Sequence, residues 1–203
     1  GQLVALAVSY VGVLLVFAWS SVYMNLWDTV YTWGTRAVLD YKAPWTELAQ
    51  RPVPLEQPVL GWREAQAVGE RLMAEQARAH HFAVRQPLAL SLDRAHGVYQ
   101  YAVRSSLDIN DHDRRGMTQL FFDADNGAFK LLLLPTGQYN GNTVTTWLYA
   151  LHMGNVFGMP YRIFVCALGL VIVLLSVTGV VIWLKKRRAR KATAAKRMRG
   201  AYA

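Results

Sequence analysis

Two hundred and three residues, 53% of them apolar and only 17% charged, are a poor composition for a soluble surface. All 13 acidic residues lie between Asp28 and Asp125, while nine of the 22 basic ones crowd into Lys185 to Arg199, so the net charge of +9 is a property of the tail. That placement excludes a nucleic-acid domain, which spreads Lys and Arg over a folded face, and a single cysteine, Cys166, excludes an intramolecular disulfide framework or a Cys-rich metal knuckle.

No charge occurs from Gly1 to Trp27, and Leu3 to Trp19 is almost wholly apolar, so residues 1–27 are expected to form a transmembrane helix. The run has no basic n-region and no small-x-small cleavage site, which argues against a signal peptide, and its abrupt start points to a piece of a longer protein. Trp19, Tyr23, Trp27, Tyr31 and Trp33 are expected to form an interfacial belt at its far end. Residues 28–60 then read as an interfacial segment and a linker punctuated by Pro44, Pro52, Pro54 and Pro58.

A domain over residues 61–136 follows. Ala65, Val68, Leu72 and Met73 recur at helical spacing between Gly61 and His80. Strands are expected at Leu88 to Leu92, Val98 to Val103, Thr118 to Phe122 and Ala128 to Leu134, the last two joined by a hairpin at Asp125-Asn126-Gly127, where Asn and Gly tolerate positive φ. Tyr99 and Tyr101 fall on one face of their strand, and Val98, Gln100 and Ala102 on the other. Leu131 to Leu134 is a run of four leucines, which alternation cannot satisfy, so that strand is expected to be covered on both sides or to rest near the bilayer. No repeat at a fixed period is evident. The fold class is therefore α+β: two membrane helices flanking one helix on a small antiparallel sheet.

Residues 137–161 are expected to hold an outer interfacial helix, 162–184 the second transmembrane helix and 185–203 a basic tail. Ile163 to Leu184 contains no charge, and the nine basic residues after it put the C-terminus on the cytoplasmic side and the central domain outside.

No nucleophile elbow, phosphate loop or Cys-x-x-Cys-His motif is present, which leaves the histidines. His80 and His81 read as a polar helix end, His96 as part of a turn, and His112 with Asp111 and Asp113 as a solvated loop or a weak divalent-cation site. His152 differs, because Leu131 to Tyr161 is otherwise uncharged and an imidazole near apolar depth is costly unless paired or ligating. Ligation is weighed against an interfacial histidine bonded to headgroups or a carbonyl. Gly154 and Gly158, four apart, leave room on a helix face for a flat macrocycle or for another helix. Gly158 and Pro160 also point to a break between the His152 helix and the span.

Leu151-His152-Met153-Gly154-Asn155-Val156-Phe157-Gly158, followed by Arg162, Gly169, Thr178-Gly179, Trp183 and the basic cluster, resembles the last span of PepSY-associated transmembrane proteins, a group that includes inner-membrane siderophore reductases. Ser20 to Leu26 resembles the outer end of that family's third span, and residues 61–136 are similar to a PepSY module. The resemblance covers the C-terminal half of the usual four-span protein. It implies a b-type haem protein of a bacterial inner membrane that reduces ferric siderophore at the periplasmic face and releases ferrous iron. His152 is then an axial haem ligand, Gly154 and Gly158 line the haem, and Arg162 pairs with a propionate or simply anchors the span. Two haems are expected in the whole assembly. The trans ligand then comes from the N-terminal helices outside this chain, although Met24, Met153 and Met159 could supply sulfur. A cytoplasmic or membrane electron donor, the ferric siderophore and the lipid bilayer are the expected partners. The alternatives are a membrane-anchored PepSY module that restrains a periplasmic peptidase, and a structural subunit of a transporter.

Overall fold

The computed structural model describes residues 2–109 and 117–201, with side chains over 11–109 and 117–188. The chain divides into two compact units, 1–156 and 157–203.

The first unit opens with α1 (Gln2–Asn25), 24 residues or about 36 Å at the usual helical rise. A π-helical turn (Trp27–Tyr31) and α2 (Thr32–Arg36) follow, and this piece is bent by 106° from Val11–Asn25. The bend separates two faces. Tyr31, Thr32 and Thr35 turn inward and are buried, whereas Leu26, Trp27, Val30, Trp33 and Val38 remain exposed. The expected belt is therefore split, because Tyr31 belongs to the interior. Pro44 then opens a short helix, α3 (Pro44–Glu47), at the position where its missing N–H costs nothing.

From residue 48 to 61 the chain has no strand and one job, which is to strap the end of the sheet. The amides of Arg51 and Leu55 donate to the carbonyls of Ala95 and Arg94, and Leu60 donates to Ala124. The Arg51 guanidinium reaches the Asp125 carboxylate at 3.3 Å.

Helix α4 (Trp62–Ala79) begins with the Gly61 amide donating to the Glu64 carboxylate at 3.0 Å, the returning half of a capping box. It buries Ala65, Gly69, Leu72 and Met73 against the sheet. Gly69 is required by this contact, since a Cβ there would lie 2.8 Å from the Tyr101 ring. The sheet is a four-stranded antiparallel meander in chain order: β1 (Val84–Asp93), β2 (Val98–Ser105), β3 (Thr118–Asp123) and β4 (Phe129–Leu133). β1 starts four residues earlier than expected, because its exposed first half carries Arg85, Gln86 and Pro87 with two register shifts, which an edge strand tolerates and a central strand does not.

The two hairpin turns share one construction. In Asp93-Arg94-Ala95-His96-Gly97 the Asp93 carboxylate accepts the amides two and three residues on, and Gly97 has φ +65°. In Asp123-Ala124-Asp125-Asn126-Gly127 the Asp123 carboxylate does the same, and Gly127 has φ +70°. The two turns lie side by side, the Ala124 amide donating to the Gly97 carbonyl at 3.0 Å. Here is the repetition that no fixed sequence period displayed.

Both sheet faces are covered. Tyr99, Tyr101, Leu120, Phe122 and Leu132 meet α4, while Val98, Phe121 and Leu133 pack on the other side with Leu48 and Tyr139. That double cover is why the leucine run needs no alternation.

Helix α5 (Asn140–His152) closes the first unit, and α6 (Gly158–Ala201) forms the second. Among the described residues one stretch, Gly158–Arg188, is long and apolar enough to cross a membrane; its most apolar 18 residues have a mean hydropathy of 2.9 and none of them is buried. A helix apolar all round and unburied has to be covered by lipid or by other protein. Val11–Asn25 passes the same test only together with the bent piece Trp27–Arg36.

Candidate functional site

The seam between α1 and α5 holds the one histidine that the sequence singled out. The start of α5 is zipped to residues 40–42. The Gly141 amide donates to the Asp40 carbonyl, Asn142 accepts from the Lys42 amide and donates to its carbonyl, and Asn140 accepts from the Asp40 amide. Gly141 permits this approach, because a Cβ there would lie 2.8 Å from the Asp40 carbonyl oxygen.

Further along, rings fill the seam. Tyr31 has neighbouring rings in Trp19, Tyr23 and Tyr41, with centroids 5.5, 4.9 and 5.9 Å away, and Tyr23 meets Tyr149 edge-on at 6.2 Å. The Tyr31 hydroxyl lies 2.7 Å from Thr145 Oγ1, which itself donates to the Gly141 carbonyl at 2.7 Å. Burial, reinforced by the nearby Tyr23 and Tyr31, pushes the Tyr41 phenol well above its ordinary range, so this part of the seam stays uncharged.

At the far end of α5, His152 Nδ1 lies 2.7 Å from Ser20 Oγ, and the Phe17 ring lies 5.1 Å from the imidazole at 46°. Ser20 is wholly buried. Nε2 carries no hydrogen bond among the described residues. The helix end does not draw on the imidazole either. The amides of Met153, Gly154 and Asn155 donate to the carbonyls of Tyr149, Leu151 and Ala150, a Schellman closure with Gly154 left-handed at φ +65°.

That closure corrects the reading of the two glycines. Gly154 ends α5 and Gly158, at φ +66°, opens α6, so they do not clear one helix face; each is there for its own backbone turn. The break between the His152 helix and the following span does fall where Gly158 and Pro160 were expected to put it. Arg162 lies in the first turns of α6, in the second unit. Met24 is half-buried on α1, and Met153 and Met159 are exposed. His80 and His81 lie exposed at the end of α4, and His96 Nδ1 is 2.7 Å from the Asp93 carboxylate inside its turn. His112, with Asp111 and Asp113, lies outside the described residues. Among the described residues no three His, Cys, Asp or Glu side chains gather where they could hold a metal ion.

Ser20 is the functional candidate that the residue pattern did not disclose. Its signals were a pair of hydroxyls, Ser20-Ser21, in an otherwise apolar run, and its place at the head of the stretch that resembles the family's third span. Such hydroxyls usually return to the preceding helical turn, as Ser21 does to the Phe17 carbonyl at 2.7 Å.

The arrangement tests the fit of a haem. With a buried hydroxyl on Nδ1 and an Nε2 that carries no hydrogen bond among the described residues, His152 has the chemistry of an imidazole that would donate to a haem iron. It would supply a single donor to such a group.

No curated protein matches this sequence. The profile of the PepSY-associated TM region matches residues 4–186, nearly the whole chain and both compact units. On that match the chain belongs to the PepSY-associated transmembrane family.

Proposed function

We propose that this chain is the C-terminal half of an inner-membrane, haem-dependent reductase that delivers electrons to a ferric siderophore at the periplasmic face. The observation that carries the reading is His152, with Nδ1 bonded to Ser20 at 2.7 Å and Nε2 without a hydrogen bond among the described residues. Family membership places the protein with membrane-associated PepSY proteins and supports the setting. When bound, haem supplies one-electron transfer, and one electron converts a ferric chelate to the ferrous form, which hydroxamate oxygens hold weakly.

This chain's residues contribute binding and packing. His152 Nε2 is the proposed donor to a haem iron, and Arg162, in the second unit, is proposed to anchor its span among lipid headgroups. The Phe17 ring packs against the imidazole, and Tyr23 meets Tyr149 edge-on elsewhere in the seam. The proposed topology has α1 and α6 crossing the bilayer, residues 28–146 periplasmic and the basic tail cytoplasmic. His152 is then near the outer face. A hydrocarbon core of about 30 Å separates it from a cytoplasmic donor, so a second haem on histidines outside this chain completes the path.

A visible spectrum of the purified full-length protein tests the reading. A Soret band with α and β bands that sharpen on reduction is expected; a protein without a Soret band would transfer support to a membrane-anchored PepSY module that binds or restrains a periplasmic peptidase. Alkaline phosphatase fused after Lys130 is expected to be active and after Arg199 inactive; the reverse pattern overturns the topology.

A further inference from the structure

We infer that Ser20 is a positioning residue that holds His152 as the Nδ1–H tautomer, so that the ring nitrogen left with a lone pair is Nε2. The number of protons on Ser20 Oγ sets the direction of the bond. Ser20 Oγ has one, and three atoms lie within hydrogen-bond reach: the Val16 carbonyl oxygen at 2.6 Å, the Phe17 carbonyl oxygen at 3.1 Å and His152 Nδ1 at 2.7 Å. The two carbonyls only accept, whereas Nδ1 can do either. If the hydroxyl donated to Nδ1, Oγ and the Val16 oxygen would face each other at 2.6 Å with no proton between them, in a side chain with no access to water. Donation to Val16 removes that conflict. Oγ then accepts, and the proton on the cross-helix bond belongs to Nδ1. A doubly protonated ring would donate from Nδ1 in the same direction.

The seam repeats this device with the helices exchanged. Thr145 on α5 spends its proton on the Gly141 carbonyl at 2.7 Å and so accepts from the Tyr31 hydroxyl at 2.7 Å. In both cases a hydroxyl satisfied within its own helix becomes an acceptor for a ring donor from across the seam. The α5 closure supports the assignment, since the last carbonyls accept from backbone amides and leave the imidazole uncommitted.

The consequence concerns ligation. A free neutral imidazole prefers the proton on Nε2, the form that offers no lone pair there. Ser20 reverses that preference, so Nε2 meets iron without first losing a proton, and the ring plane is already fixed by Phe17 and the Ser20 bond. Only this consequence rests on the haem reading; the tautomer does not.

The test uses full-length protein produced without haem and labelled with nitrogen-15 at histidine, the His152 signals being identified by their loss in His152→Asn. A protonated Nδ1 and an unprotonated Nε2 are expected, and a protonated Nε2 with bare Nδ1 overturns the proposal. Ser20→Ala is expected to move the population to Nε2–H and to weaken haem binding about 10- to 100-fold, with Ser20→Thr restoring both. An Nδ1–H population unchanged in Ser20→Ala also overturns it. If the tautomer is as stated but His152→Asn keeps full haem occupancy, the reductase reading of this site fails and the Ser20 assignment stands.

Discussion

The sheet module and the α1–α5 seam solve the problem of holding two elements together in opposite ways. Between α4 and the sheet the contacts are apolar and crowded: Leu72, Met73, Tyr99, Val103, Leu120 and Phe122 are buried together. Across the seam ring contacts are joined by directed ones, with Ser20 to His152, Tyr31 to Thr145 and Asn142 to the Lys42 backbone each fixing one atom against another. Apolar burial is non-directional and gives stability, whereas hydrogen bonds in a dry place add modest net stability and strong geometric preference. Stability belongs to the module and orientation to the seam.

The largest expected effect breaks the module. Phe122→Ala removes a fully buried ring from the middle of the core and is expected to cost about 3–5 kcal/mol, read as the urea midpoint followed by far-ultraviolet circular dichroism. A loss under about 1 kcal/mol would mean that the module leans on other surfaces than its own. Thr145→Val is nearly isosteric and strands the buried Tyr31 hydroxyl without its acceptor. A cost of about 1–3 kcal/mol is expected, confined to the seam, with hydrogen exchange in β2 and β3 unchanged. Loss of protection in those strands would erase the division between the two regions.

The smallest effect lies in the module's polar end. The Asp108 side chain is packed away, with Oδ1 accepting from Ser105 at 3.1 Å, while Oδ2 has, among the described residues, no hydrogen bond and the Arg104 guanidinium at 3.6 Å. Burial pushes its carboxyl above the ordinary 3.8, against the pull of Ser105 and Arg104. The folded state therefore holds this proton more tightly than the unfolded chain does. The penalty on the charged form is complete at neutral pH and is relieved as pH falls through the raised pKa. Asp108→Asn is expected to raise the thermal midpoint slightly at pH 7, with the difference closing in acid. Destabilisation by Asp108→Asn at pH 7 contradicts this assignment.

Much of the module was legible because its signals are local. Ala65, Leu72 and Met73 announce a helix face, and Asp125-Asn126-Gly127 announces a turn that needs positive φ. The first half of β1 was hidden, since Arg85, Gln86 and Pro87 sit on an exposed edge where no pattern is imposed. The likeness of the two turns was hidden for another reason. Asp93 and Asp123 do the same work, but the residues between each Asp and its glycine differ and only the backbone repeats. The seam was the least legible part. His152 stood out because it breaks an uncharged run, yet its partner is 132 positions away, and a serine in an apolar helix carries no mark of what it accepts from. The glycines misled because spacing of four was taken for one helix face where the chain has two helix ends.

The account turns on whether the orientation built into the seam serves a haem iron. The direct measurement is haem per protein in His152→Ala of the full-length protein, by pyridine haemochrome, with circular dichroism to show that the module remains folded. Loss of one haem equivalent from a folded protein is the predicted result. Unchanged occupancy with an unchanged reduced spectrum would remove His152 from the ligand set and contradict the central claim.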